Sequence, residues 1–287
     1  MEADLVLPSR DEKRWTFRHA LLQEAAYRSM LRRRRQALHG RIAETLETAF
    51  PERCAAGPEQ VANHFVAAGL GARSVPYWLT AGKTAWQRAS MKEALAHLGR
   101  GLEFVGEIAD PADRAKQELQ LQSTLGVVHF AATSYASPEA AAAFERARDL
   151  FVDVSDVDLR VAVLYGIGAY ETMRGDVGRG HQTFASLAEE VGRSGNARYE
   201  VYSESMQTWS HFNRGHFAQA VQHGERVLEL YDQGAWDQPG PRLSAADPKV
   251  ISECFRAAAL WSLGHPDQAT RVGEEVLVYA RSLHDKY

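Results

Sequence analysis

Three stretches of the sequence carry one pattern: RGDVGRGHQTFASLAEEV (174–191), RGHFAQAVQHGERVLELY (214–231) and LGHPDQATRVGEEVLVYA (263–280). Aligned without gaps, they share a glycine at 175, 215 and 264 and a small residue five positions later, namely Gly180, Ala220 and Ala269. A fourth stretch, ASMKEALAHLGRGLEFV (89–105), fits the same frame with Ala89, Met91 and Ala94. Glycine suits a tight turn, and a small residue suits a point where two helices touch. The pattern therefore predicts a series of helical hairpins.

Helical spacing of apolar residues continues along nearly the whole chain. Leu38, Ile42, Leu46 and Phe50 recur every four residues, which predicts a helix with one buried stripe that stops at Pro51. Further helices are predicted at about 58–68, 74–88, 91–106, 112–131, 138–152, 157–173, 177–193, 198–213, 217–232, 248–263 and 266–284. Only RWTFR (14–18) has strand character. We therefore expect an all-α array.

Composition restricts the classes of function. The 287 residues are 45% hydrophobic and 24% charged, which are globular values. With 33 basic and 37 acidic residues the net charge is −4, which argues against a general nucleic-acid or membrane binder. No apolar run approaches the roughly 20 residues that cross a bilayer. With two cysteines 200 positions apart and no secretory leader, we expect a cytoplasmic protein without disulfides.

The hairpin frame resembles the tetratricopeptide repeat (TPR). In YWLTAGKTA (77–85), Trp78 and Gly82 match the large and small positions of that family, and Gly168 matches the small position of the next recognised unit. The turns at 175, 215 and 264 are 40 and 49 residues apart, whereas the family period is about 34. The repeats are therefore degenerate, and the resemblance implies a right-handed α-solenoid whose first helices line a concave surface.

Several motifs suggest catalysis or cofactor binding, but each lacks a residue or spacing that the chemistry needs. AGKT (81–84) ends like a P-loop, but the required earlier glycine is Tyr77 and Gly82 lies within a predicted helix, so we interpret it as a helix-packing glycine. GIGAYE (166–171) lacks the third glycine of a dinucleotide fingerprint. The eleven histidines show no HExxH, and we expect solvated or capping histidines; His211 and His216, five apart, should lie on different helical faces. We expect no catalytic residue, cofactor or metal in this chain.

The segment FRHALLQEAAYRSMLRRRRQALHGRIAETLE (17–47) shows a second resemblance. A strand leading into Phe17-Arg18-His19-Ala20-Leu21, then Ala25-Ala26-Tyr27, an arginine run, Leu38-His39 and Ile42-Ala43, is similar to the link between the winged-helix region and the helical repeats of STAND-class ATPases. Residues 14–284 resemble the C-terminal half of bacterial proteins that join a class III adenylate/guanylate cyclase domain, an ATPase module and TPRs. Large ATP-binding transcriptional regulators end similarly.

This resemblance implies a division of the chain and a role. Residues 1–50 would be the end of a winged-helix and linker region, and 51–287 a TPR-like domain. The chain would then be a non-catalytic interaction and regulatory scaffold that controls an N-terminal ATPase or cyclase in the same polypeptide. The alternative is the C-terminal part of a DNA-binding, ATP-dependent transcriptional regulator, in which the arginine run contacts phosphate.

Two groups of residues are candidates for contact with partners. On the first helices of the hairpins, polar side chains expected to be exposed could bind a protein, a peptide or a small polar effector: Tyr170, Glu171, Arg174, Glu204, Gln207, His211 and Arg214. In the arginine run, Arg32, Arg33, Arg34 and Arg35 could face the N-terminal module. Most aromatic residues of the first helices should be core. Residues 1–13 should be loose and the strand at Trp15 short or unformed, because it lacks an evident partner strand.

Overall fold

The computed structural model describes residues 6–8, 15–17, 19–132, 137–151, 154–239, 243–244 and 246–284. Two short strands, β1 (Val6–Pro8) and β2 (Trp15–Phe17), precede the helices. The helices are α1 (Ala20–Ser29), α2 (Arg32–Ala49), α3 (Pro51–Ala56), α4 (Pro58–Ala68), α5 (Gly71–Gln87), α6 (Met91–Val105), α7 (Pro111–Ala132), α8 (Pro138–Leu150), α9 (Val157–Met173), α10 (Val177–Ser194), α11 (Ala197–Asn213), α12 (Phe217–Asp232), α13 (Pro248–Ser262) and α14 (Pro266–His284). A short 3-10 turn spans Ala235–Asp237.

The predicted all-α class of TPR-like hairpins is confirmed. From residue 58 onward the observed helices match the predicted ones to within about three residues at each end. Helix α1 is the helix expected between the strand and the arginine run, whereas α3 and the short 3-10 turn were not predicted individually. Within the described part of the chain, no helix combines the length and apolar character needed to cross a membrane.

At the N-terminus, β2 forms and has a partner. It pairs antiparallel with β1, with Val6 opposite Phe17 and Pro8 opposite Trp15. The prediction of a short strand is confirmed, since β2 has three residues. The expectation that 1–13 would be loose is wrong for residues 6–8, because that segment supplies the hydrogen-bonding partner that β2 needs. Residues 1–5 and 9–14 lie outside the described ranges.

Helix α2 buries a different stripe from the one predicted. Leu38 and Ile42 are 36% and 42% exposed, and Phe50, which follows the helix, is 45% exposed. Gly40 and Ala43 are the buried residues of α2 instead. A Cβ on Gly40 would lie 3.7 Å from the Cβ of Ala68 on α4. The contact with α4 thus forms on the small face, where Leu46 of the predicted stripe also packs against the core, while Leu38, Ile42 and Phe50 are left toward solvent.

Four hairpins share one turn geometry: α5/α6, α9/α10, α11/α12 and α13/α14. In the α9/α10 turn the N–H of Arg174 donates to the carbonyl of Tyr170, that of Gly175 to Thr172, and that of Asp176 to Glu171. The other turns repeat these bonds. Gly175, Gly215 and Gly264 have φ values of 93°, 75° and 86°, which are left-handed and favour glycine.

Small residues close each hairpin, as predicted. Ala94, Gly180, Ala220 and Ala269 are buried. Gly82 is a packing glycine, since a Cβ there would lie 2.6 Å from Leu98 Cδ2 on α6. Gly168 faces Phe184 in the same way, at 2.5 Å from Cε1. Because α5 is a continuous helix through Gly82, the AGKT segment offers no phosphate-binding loop.

One hairpin partner was missed from the sequence. Gly126 on α7 faces Phe144 on α8, with a Cβ position 2.7 Å from the ring, as Gly168 faces Phe184. Ala140, four residues before Phe144, is fully buried like Ala94 and Ala220. The small-residue signal was therefore present, but the connection between these helices carries no turn glycine in the common frame.

Contacts group the chain into two compact units, residues 1–117 and 118–287. In the first unit Ala43, Val61 and Phe65 share a core, so residues on both sides of the predicted boundary at 50/51 pack together. The core of the second unit is built mainly from α9, α10 and α11: Val161, Leu164, Tyr165, Phe184, Leu187, Val191, Tyr199, Tyr202 and Met206. Assignment of residues 1–50 to a winged-helix remnant stays a prediction.

Candidate functional site

The predicted partner-binding residues lie in three places in the second unit. Tyr170, Glu171 and Arg174 surround the C-terminal end of α9. Glu204, His211 and Arg214 belong to α11 and its turn. Gln207 is only 8% exposed and donates from Nε2 to the carbonyl of Phe184, 3.2 Å away. The expectation that Gln207 would be exposed is therefore wrong, because its amide is used to join α11 to α10.

The first place is a cleft formed by three arginines, which we call the arginine cleft: Arg148 on α8, Arg174 after α9 and Arg179 on α10. Apolar residues line it, including Phe144 and Ile167. An adjoining open cavity of about 350 Å³ shares Arg148, Ile167 and Arg179 and is lined further by Phe151, Leu164, Gln182, Thr183 and Ser186. The three helices thus place cationic groups beside an apolar wall.

Glu171 fixes two of these arginines. Its carboxylate accepts hydrogen bonds from Arg148 Nη2 at 2.5 Å and from Thr183 Oγ1 at 2.6 Å, and it forms an ion pair with Arg179, whose Nε lies 3.0 Å away. Glu171 is 4% exposed, so the prediction that it is an exposed contact residue is wrong. Buried carboxylates need charged or hydrogen-bonding partners, and Glu171 obtains all of them from the helices around it. Its role in the structure is to hold Arg148 and Arg179.

Arg174 is held by a ring instead of a carboxylate. Its guanidinium lies 5.6 Å from the ring centroid of Tyr170, and Nη1 is 3.4 Å from the Tyr170 hydroxyl. Tyr170 is 5% exposed and packs against Phe144 with the ring centroids 5.0 Å apart, so its predicted exposure is also wrong. Arg174 itself is exposed, as predicted. A buried ring therefore supports an exposed cation.

A second arginine in the same unit shows what a purely structural arginine looks like here. Arg160 donates from Nε and Nη2 to Glu190 and from Nη1 to the carbonyls of Phe151 and Val154. Its side chain is 21% exposed. Hydrogen bonding from Arg160 lowers the pKa of Glu190. Each of the three guanidinium nitrogens of Arg160 thus donates a hydrogen bond within the protein, in contrast to the guanidinium groups of the cleft.

The second place brings four histidines together, which we call the histidine cluster: His181, His211, His216 and His223. His211 is central, with ring centroids 5.2 Å from His181, 5.7 Å from His216 and 5.0 Å from His223. The expectation that His211 and His216 diverge is therefore wrong. His216 follows the tight turn, so the reversal of the chain brings it back beside α11.

Burial sets the protonation state of His211 at the centre of this cluster. His223 Nδ1 is 2.6 Å from Glu204 Oε2, and His181 Nδ1 is 2.9 Å from Ser210 Oγ. The Nδ1 atom of His211 is buried and has no hydrogen-bond partner in the described part of the chain. Burial, then the neighbouring His223, lowers the pKa of His211 to about 4. His211 is therefore neutral near pH 7.

The arginine cleft and the histidine cluster are built around the same position of the repeat, four residues before the hairpin turn. Counting four residues back from the turn gives Ala85, Glu171, His211 and Leu260 in the four hairpins, and Ala85 and Leu260 are buried apolar residues. Eight residues after the turn, Thr183 bonds Glu171 and His223 stacks on His211. A polar residue at a core position thus draws polar partners. The polar residues at this core position are visible in the gap-free alignment of the repeats. The alignment alone, however, does not identify Arg148 and Arg179 as partners of Glu171.

The arginine run begins α2. Arg32, Arg33 and Arg34 are exposed. Arg35 lies over the ring of Tyr27 at 5.1 Å from the centroid, and its Nη1 is 3.4 Å from the Tyr27 carbonyl. Arg35 therefore joins α2 to α1 locally. Contact of the run with an N-terminal module stays a prediction.

Among the residues that the structure describes, no three His, Cys, Asp or Glu side chains are grouped so that they could hold a metal ion. This includes the histidine cluster, whose rings contact one another face to face or edge to face and are not arranged around a common point.

Sequence comparison relates half of this chain to another protein. No protein-family model matches the chain. An uncharacterized protein of Rhizobium meliloti (strain 1021) is 28% identical over 144 residues, which is 50% of this chain and 13% of that protein. This chain therefore corresponds to a small part of that relative.

Solved structures give the same architecture. A Podosopora anserina kinesin light chain protein with nearly identical TPR-like repeats matches with a TM-score of 0.55 and 13% identity, covering 74% of this chain and 96% of that one. A Rap protein complexed with competence and sporulation factor matches with a TM-score of 0.58 and 10% identity, covering 93% and 77%. At these identities the likeness shows that the chain has the TPR-like repeat fold.

Proposed function

We propose that this chain is a non-catalytic protein-interaction scaffold and that the arginine cleft receives a segment of a partner protein. The observation that carries the proposal is the placement of Arg148, Arg174 and Arg179. They are partly or fully exposed, yet each is held by a group from the helical scaffold. Fixed polar groups beside an apolar wall are what a recognition surface requires.

Two further points support a binding role. The neighbour Rap was solved in complex with competence and sporulation factor, so a protein with this fold can hold another molecule. Glu171 and Gln207, two polar residues of the first helices, bond to neighbouring helices of the scaffold.

The experiment uses peptides selected from a random-sequence phage library against the purified chain, with affinity measured by calorimetry. Ala141 is half-buried and lines the cleft, whereas its neighbour Ala142 is exposed and is not part of that lining. Ala141→Trp should weaken the selected peptides at least about tenfold by filling the cleft, a loss of about 1.4 kcal/mol. Ala142→Trp, with the same change of volume one residue along α8, should bind as the wild type does.

Selected peptides that bind Ala141→Trp with undiminished affinity would place partner recognition elsewhere. Circular dichroism and thermal melting of both variants control for folding. ATP hydrolysis and nucleotide cyclisation by the purified chain should stay at background, and genuine turnover would overturn the non-catalytic role.

We further propose that partner binding is transmitted to an ATPase or nucleotide-cyclase module N-terminal to the repeats. The support is the resemblance of residues 17–47 to the linker of STAND-class ATPases. The expected contact with that module is the arginine run, in which Arg32, Arg33 and Arg34 are exposed. In a polypeptide that carries both parts, replacing these three residues with glutamine should uncouple the module's activity from partner binding without reducing affinity for the partner.

The alternative is part of a DNA-binding regulator, favoured by the same exposed arginines. It predicts binding to duplex DNA that weakens steeply with salt and is lost when Arg32, Arg33 and Arg34 become alanine. The net charge of −4 makes this the second candidate.

A further inference from the structure

We propose that the arginine cleft selects acidic partner segments, whose carboxylate side chains pair with its arginines. This inference rests on the proposed function, because it names the chemistry of the partner at the same site.

The first step is the number of donors that remain available. A guanidinium carries five N–H groups. Arg148 donates from Nη2 to Glu171, and Arg179 forms an ion pair with the same carboxylate through Nε, 3.0 Å away. Their side chains are 39% and 47% exposed, so the remaining N–H groups reach solvent. Arg160, by contrast, is 21% exposed and uses all three nitrogens internally.

The second step is the state of the acidic groups in the cleft. Glu171 is buried and already engages Arg148, Arg179 and Thr183, so it offers little to a ligand. Asp176 uses Oδ1 to cap α10 by accepting from the N–H of Arg179, 3.3 Å away. Glu145 lines the same cleft from α8 and is exposed. Although three acids and three arginines line the cleft, it presents unfilled donors more than unfilled acceptors.

The third step is geometry. Arg174 is exposed and supported by the buried ring of Tyr170, so it can meet a ligand without reorganising the helix. Planar guanidinium groups bind carboxylates through two parallel hydrogen bonds. Ile167 and Phe144 belong to the same lining, but each is only 3% exposed, so the accessible part of the cleft is formed mainly by charged groups. Acidic side chains of a partner segment therefore complement the exposed guanidinium donors.

The test compares two fluorescein-labelled twelve-residue peptides by fluorescence anisotropy at low ionic strength. One contains Glu, Asp, Leu and Ser, and the other has Gln and Asn in place of Glu and Asp. We expect the acidic peptide to bind at least about tenfold more tightly, because hydrogen bonds to charged groups are stronger than neutral ones. Added salt should reduce the difference.

Variants assign this preference to the cleft. Arg174→Gln should remove most of it, and Arg174→Lys should retain part, since lysine keeps the charge but not the paired donors. The matched control is Arg226→Gln on α12, whose guanidinium is exposed to a similar degree, at 40%, but lies outside the cleft and pairs with Glu200 and Glu229. It should leave the preference unchanged.

The outcomes separate the two proposals. Peptides that lose affinity in Ala141→Trp but bind equally well in acidic and neutral forms would refute the acidic preference and leave the scaffold intact. An acidic preference that persists in Arg174→Gln would also refute it. Tighter, Arg174-dependent binding of duplex DNA or inorganic phosphate than of the acidic peptide would replace the protein segment with a phosphate ligand. Absence of any cleft-dependent peptide binding would reject both proposals.

Discussion

Ala89 adopts a left-handed backbone conformation, with φ of 58°, at the turn position where three other hairpins have glycine. Its neighbours make the same turn hydrogen bonds, with the N–H of Ser90 donating to the carbonyl of Ala85. The turn geometry is thus imposed by the hairpin, and Ala89 adopts it despite the steric penalty of its Cβ, about 1–2 kcal/mol.

Ala89→Gly should therefore stabilise the protein, by about 0.5–1 kcal/mol after allowing for the greater freedom of glycine in the unfolded chain. Equilibrium unfolding in urea measures this change. The control is Ala96→Gly at an exposed position within α6, where the same substitution should cost about 1 kcal/mol. Destabilisation by Ala89→Gly would mean that the methyl group makes contacts outweighing the strain.

The hairpins differ from one another in the residue at one core position, four residues before the turn. Leu260 packs in an apolar cluster with Val272, whereas the equivalent pairs are Glu171 with Thr183 and His211 with His223. The same place in the fold thus holds an apolar contact, a carboxylate network or a histidine cluster. The helices are retained because the turn and the small residues, not this position, specify the hairpin.

The histidine cluster makes the stability of α10, α11 and α12 dependent on pH. His211 faces His181 on α10, His216 in the turn and His223 on α12; Arg214 is a nearby cation, and Glu204 is the carboxylate that His223 contacts. The pKa of His211 is about 4 in the folded protein and about 6.5 when unfolded. Since the unfolded state binds more protons between these values, stability should fall as pH decreases from about 6.5 to about 4.

His211→Leu, which copies the fourth hairpin, should flatten this dependence. Urea midpoints between pH 7.5 and 4.5 measure it, and the difference from wild type removes the contribution of carboxylates common to both proteins. His265→Gln, at an exposed histidine outside the cluster, should keep the wild-type slope. An unchanged slope in His211→Leu would show that the cluster accepts protons without cost.

At the scale of the whole chain, the last hairpin departs from the others on its surface. Fourteen residues after the turn, the first three aligned hairpins have Glu103, Glu189 and Glu229, and the last has Val278. Val278 is 67% exposed, Leu277 50% and Trp261 65%. Helix α14 therefore exposes apolar side chains, one of which, Val278, takes the position where the other aligned hairpins carry glutamate.

Val278→Lys should change the free energy of unfolding by no more than about 0.5 kcal/mol, because the side chain makes little buried contact. Val276, two residues earlier, is 8% exposed and takes the frame position of Leu187 and Val227. Val276→Lys should cost about 3 kcal/mol or more, since it buries an unpaired charge. Chemical denaturation measures both, and a large cost at Val278 would show that this face is covered in solution.

Local pattern was sufficient for most of the fold. Apolar spacing and breaks at proline and glycine gave the helices from residue 58 onward, and the small residues Ala94, Gly180, Ala220 and Ala269 marked the hairpin contacts correctly. These features depend on neighbours within about five positions, where the helical period fixes which residues share a face. The stripe on α2 failed because close approach at Gly40 outweighed the larger apolar residues.

By itself, the sequence determined the helices, the turns and the repeat frame, because each depends on short-range backbone geometry. Only the tertiary structure decided which polar residues meet. Arg148 and Glu171 are 23 positions apart, and His181 and Ser210 are 29 apart, yet both pairs are in contact. It also decided that Tyr170, Glu171 and Gln207 are buried supports while Arg174 stays exposed. Burial and pairing depend on how adjacent hairpins stack, and helical periodicity within one hairpin carries no information about that stacking.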